Sequence, residues 1–70
     1  MSKIGEWEVT ASPEVKLYPD ENEITAIHKN EVIARLRFTP RGVFTIDSKE
    51  CTIYIKPERK TIEISFIRGL

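Results

Sequence analysis

Seventy residues carrying eleven basic and eleven acidic side chains give a chain of zero net charge. A domain of this size buries only about 60% of the surface its unfolded chain exposes, so its core needs help from tight packing, ion pairs or a partner subunit. One cysteine excludes an internal disulfide, and one cysteine with one histidine cannot furnish a structural zinc site. No apolar run approaches the ~20 residues of a membrane helix and no signal-peptide core opens the chain, so a cytoplasmic protein that does not enter the membrane is expected.

Glutamine is absent, isoleucine abundant and 31% of residues are charged, a balance expected of a protein from a thermophile. The charges are segregated. Residues 1–34 hold seven acidic and three basic side chains, and residues 35–70 four acidic and eight basic. Acidic strands lying beside basic ones in one sheet would neutralise this split; a basic binding half is the alternative.

In chain order, Ile4 to Thr10 alternates, placing Trp7 and Val9 on one face and Glu6 and Glu8 on the other. Val15 and Leu17 mark a second short strand, and Tyr18 to Asn22 has turn chemistry. A third strand over about 23–28 turns Ile24 and Ala26 inward, ahead of a three-residue loop His28-Lys29-Asn30 that pairs Ala26 with Val32. Residues 31–44, EVIARLRFTPRGVF, read as a strand, a tight turn and the next strand. With Pro40-Arg41-Gly42 as the loop, Phe38 meets Phe44, Leu36 meets Ile46, and Arg35 lies beside Asp47. A helix over 20–38, suggested by Asp20 and Glu23 as a capping box, scatters the apolar residues around its cylinder and is set aside. After a turn at 47–50, Cys51, Ile53 and Ile55 point inward and a loop at 57–60 sets them against Phe66, Ile64 and Ile62. Residues 1–3 and 68–70 look like loose ends.

The expected fold is therefore all-β: a single-domain antiparallel meander of six or seven short strands over residues 1–70, curled into a small barrel or half-barrel. Its core would hold Trp7, Val9, Leu17, Ile24, Val32, Leu36, Phe38, Phe44, Ile46, Ile53, Ile55, Ile62, Ile64 and Phe66.

No enzyme is expected. His28 is the only imidazole and falls near a loop, Cys51 reads as a small buried hydrophobe, and Glu6 with Glu8 reads as a solvated edge. Asp20, Glu21 and Glu23 lack calcium-loop spacing, and the glycines are too scattered to cradle a phosphate. Neither a cofactor nor a metal is expected. Several outward isoleucines suggest a covered surface, hence a protein–protein interaction or self-assembling module, a homo-oligomer, contacting its partner through Ile33, Val43, Tyr54 and Ile67. Trp7 would plug a barrel end or anchor a partner. The alternative is a β-barrel that binds single-stranded nucleic acid through Arg35, Arg37, Arg41, Tyr54, Lys56, Arg59 and Lys60 on a basic outer face. The run from Glu31-Val32 through Phe38-Thr39 is loosely similar, over less than half the chain, to the meander of the trp RNA-binding attenuation protein. The Lys-x-Arg strand motif that contacts RNA there has no counterpart here, so no function is carried across.

Overall fold

The computed structural model describes residues 2–67 and is all-β, with eight strands and one 3₁₀ turn. The strands are β1 (Ser2–Ile4), β2 (Trp7–Ala11), β3 (Lys16–Pro19), β4 (Glu23–His28), β5 (Glu31–Thr39), β6 (Gly42–Ser48), β7 (Cys51–Lys56) and β8 (Thr61–Phe66). They form two four-stranded sheets, ordered β1-β2-β8-β7 and β3-β4-β5-β6, and among the described residues no closed barrel. The second sheet is a four-stranded antiparallel meander, whereas the single continuous meander expected over the whole chain breaks between β6 and β7, which belong to different sheets. The first contains a pairing that no hairpin could signal: β2 runs parallel to β8, with Val9 opposite Ile62 and Ala11 opposite Ile64. Of the expected loose ends, Ser2 and Lys3 belong to β1, and residues 68–70 lie outside the described residues.

One hydrophobic cluster joins the sheets. Ile4, Val9, Ile62 and Ile64 enter it from the first sheet, and Ile24, Ala26, Ile33, Ala34, Leu36 and Phe38 from the second. Trp7, Leu17, Ile53, Ile55 and Phe66 pack half-buried around it. The sheets also meet at their margins, where the His28 ring stacks on Phe66 at 3.9 Å and the Cys51 thiol donates to the Ile33 carbonyl at 3.5 Å.

The β7–β8 register is as expected, with Cys51 opposite Phe66, Ile53 opposite Ile64 and Ile55 opposite Ile62. Elsewhere local turn chemistry outweighs the hydrophobic pattern. Gly5, at φ +57, turns the chain between β1 and β2, so Ile4–Thr10 is a hairpin and Glu6 leaves the strand face it was expected to share with Glu8. Lys29 and Asn30, at φ 50 and 65, make a two-residue loop of the kind that matches strand twist. Ala26 therefore faces Ala34 rather than Val32, and a bulge inserts Ile33 as the extra residue. Ile33 is 1% exposed and Val32 39%, reversing both expected orientations.

The β5–β6 turn is also one residue shorter than expected. Thr39 faces Gly42 across Pro40-Arg41, and the Thr39 hydroxyl both accepts from the Arg41 N–H at 3.1 Å and donates to the Gly42 carbonyl at 3.0 Å. Proline second and glycine fourth in the turn suit that geometry. Phe38 thus opposes Val43, Arg37 opposes Phe44 and Leu36 opposes Thr45, until a bulge at Ile46 restores Arg35 opposite Asp47. Phe44 and Ile46, placed in the core by their sequence pattern, are 50% and 46% exposed. Phe44 now shares the exposed face of the sheet with its partner Arg37.

Candidate interaction surfaces

The residues expected to form one outer face are distributed over two. β6 and β7 belong to different sheets, so Val43 does not stand beside Tyr54. Ile33 is in the core, Val43 is half-buried against it, and Ile67 is half-buried with its N–H donating to the Glu50 carbonyl at 2.8 Å. Of that set, only Tyr54 is well exposed, at 60%.

The expected cationic set is divided in the same way. Arg35 and Arg37 project from the second sheet, where Glu23 receives both: Arg35 Nη2 at 3.0 Å on one carboxylate oxygen, Arg37 Nη2 at 2.8 Å on the other. The register explains the clamp, because Glu23 is opposite Arg37 and its neighbour-but-one Thr25 is opposite Arg35. The two Arg37 hydrogen bonds, then the one from Arg35, hold the Glu23 carboxyl below its ordinary pKa. Arg35 has Asp47 across the strand, as expected, but its guanidinium forms its ion pair with Glu23. Lys49 Nζ meets Glu31 at 3.0 Å, which raises the lysine pKa. These pairs join the acidic half of the chain to the basic half, the internal neutralisation considered above.

On the first sheet Lys56 Nζ lies 5.1 Å from the Tyr54 ring centroid and 3.9 Å from the Glu63 carboxylate. Arg41 occupies the β5–β6 turn, while Arg59 and Lys60 belong to the β7–β8 loop.

Two surfaces stand out once these residues are placed. The first is the free edge of β6, which pairs with β5 and has no partner on its other side among the described residues. Phe44, Thr45 and Ile46 are exposed along it. The other edge strands each carry a lysine: Lys3 in β1, Lys16 in β3 (with Pro19), and Lys56 in β7. β6, GVFTIDS, has neither lysine nor proline, and is interrupted only towards its C-terminal end, by the bulge at Ile46 and the charge of Asp47. Its edge was missed in the sequence because Phe44 and Ile46 read as core. The pattern did hold a signal, since an apolar face with no predicted cover must be either buried by another element or left free.

The second surface is a cleft of about 420 Å³ where the β1–β2 turn, the 20–22 loop, the β5–β6 turn and the β7–β8 loop converge. Trp7 and Phe38 line it, their ring centroids 6.1 Å apart at 59°, with Glu6, Glu21, Asn22 and Lys60 around them. Lys60 Nζ stands 5.3 Å from the centroid of the Trp7 ring.

Among the described residues no three His, Cys, Asp or Glu side chains gather to hold a metal ion, and no helix is long and apolar enough to cross a membrane. Comparison with family models, with curated proteins and with solved structures gives no match to this chain.

Proposed function

We propose that this protein is a non-catalytic β-domain that associates with a second copy of itself through the free edge of β6. The observation that carries this reading is an edge strand without lysine or proline that holds half-exposed Phe44 and Ile46, on a sheet whose other edge carries Lys16 and Pro19. The strand is also self-complementary. A two-fold axis through Thr45 sets Phe44 of each copy opposite Ile46 of the other, and Val43 opposite Asp47; within the strand no like charges face, and Arg41 meets Lys49 only beyond its ends. Antiparallel addition would then extend the four-stranded meander into a continuous eight-stranded sheet, supplying backbone partners and apolar cover together.

Sedimentation equilibrium over a wide concentration range tests this. A monomer–dimer equilibrium is expected for the native chain, and the Phe44→Lys/Ile46→Lys variant should remain monomeric with an unchanged circular dichroism spectrum. A native chain that stays monomeric at the highest concentration overturns the reading. So does a dimer that survives the double substitution.

Nucleic-acid binding is the second reading, supported by the exposed Tyr54 ring beside Lys56. It requires affinity for single-stranded oligonucleotides that falls steeply with salt and weakens by ~1–3 kcal/mol in Tyr54→Ala.

A further inference from the structure

The cleft at the loop end is chemically unlike the β6 edge. Its centre is the chain's one tryptophan. The face of an indole ring carries negative quadrupole potential and attracts cations within about 6 Å of its centroid. Lys60 Nζ, at 5.3 Å, already occupies such a position. Glu6 and Glu21, on the walls, take part in no ion pair among the described residues. Two carboxylates against one ammonium leave the cleft electronegative around an aromatic surface.

The backbone beneath Lys60 fixes where that ammonium goes. Lys60 is left-handed at φ 55, ψ 43, a conformation favoured by glycine or asparagine, and its N–H donates to the Pro57 carbonyl at 3.2 Å. Its own carbonyl accepts from the Glu8 N–H at 2.9 Å, the first link of the parallel β2–β8 pairing. A lysine held there reaches the ring of Trp7, the residue preceding Glu8.

We propose that this cleft binds an arginine side chain of a partner peptide, its guanidinium displacing the Lys60 ammonium from the Trp7 face and bonding to Glu6 or Glu21. A guanidinium suits the site better than an ammonium. It is planar, more weakly hydrated, stacks on aromatic faces and presents a fork of donors to a carboxylate. Lys60 acts as an internal competitor, so removing it should strengthen binding, whereas a purely structural lysine would leave affinity unchanged.

The test is a fluorescence titration of the full chain, in which all tryptophan emission comes from Trp7. The probe is acetyl-Gly-Arg-Gly-amide, with the citrulline peptide as its neutral isostere. A saturable change is expected with arginine and none with citrulline. Lys60→Asn, which keeps a residue tolerant of the left-handed backbone, should bind about two- to fivefold tighter. Glu6→Gln/Glu21→Gln should bind more weakly, with native thermal unfolding confirming that the variant is folded. No saturable response to the arginine peptide overturns the proposal, as does an equal response to citrulline, unchanged affinity in Lys60→Asn, or a Trp7 response to oligonucleotides in place of the peptide.

Discussion

Where Glu31 holds only Lys49, Glu23 holds two arginines of the basic second half of the chain, Arg35 and Arg37. Its depressed pKa fixes the sign of a pH effect. Its contribution to stability is complete above the unfolded glutamate pKa of about 4.3 and is lost as pH falls through the lower folded value. Thermal unfolding should therefore show native chain more stable than Glu23→Gln at neutral pH, with the gap closing in acid; a gap that persists below both values refutes the assignment. Lys29 gives a second residue-scale expectation. It holds φ 50 in a loop that asparagine and glycine fit better, so Lys29→Asn/Asn30→Gly should raise stability by about 1 kcal/mol in urea unfolding.

At the scale of the element, the two bulges decide which side chains are core and which are surface. A bulge on β5 drives Ile33 inward beside Ala34, so that two successive residues of one strand are buried. Ile33→Ala should cost about 2–5 kcal/mol, the range for a large aliphatic removed from a packed interior. Phe44→Ala on the edge strand should change monomer stability by no more than about 0.5 kcal/mol. A larger loss at Phe44 than at Ile33 in urea unfolding would bury Phe44 and expose Ile33, as the uninterrupted alternation of the sequence requires. The contrast also separates folding from association, because β6 loses little by exposing Phe44 until a second strand covers it.

The whole molecule depends on the joining of the two sheets. Val9 and Ile62, opposite each other in the parallel β2–β8 pair, are as buried as Leu36 in the meander, and all three belong to one cluster. One cooperative transition is the expected result, with Val9→Ala and Leu36→Ala each shifting its midpoint without splitting it. Two separated transitions by circular dichroism and tryptophan fluorescence would show that the sheets fold independently.

Strand identity was legible in the sequence wherever apolar and polar residues alternate, and the 23–28 strand and the β7–β8 hairpin register follow from that alternation with a loop of defined length. Three consecutive apolar residues, Val32-Ile33-Ala34, were the one local hint of a bulge. Side chains alternate because of the backbone itself, so their period is written into any single strand. Which strand lies beside which is different. The β2–β8 pairing joins segments some fifty residues apart with no turn to set their register. The short loops at Lys29-Asn30 and Pro40-Arg41 likewise shift each register by one residue until a bulge takes up the difference. Only the packing of one sheet on the other settled which apolar side chains were covered, which is why Phe44, Ile46 and the Trp7 cleft emerge as surfaces in the folded chain alone.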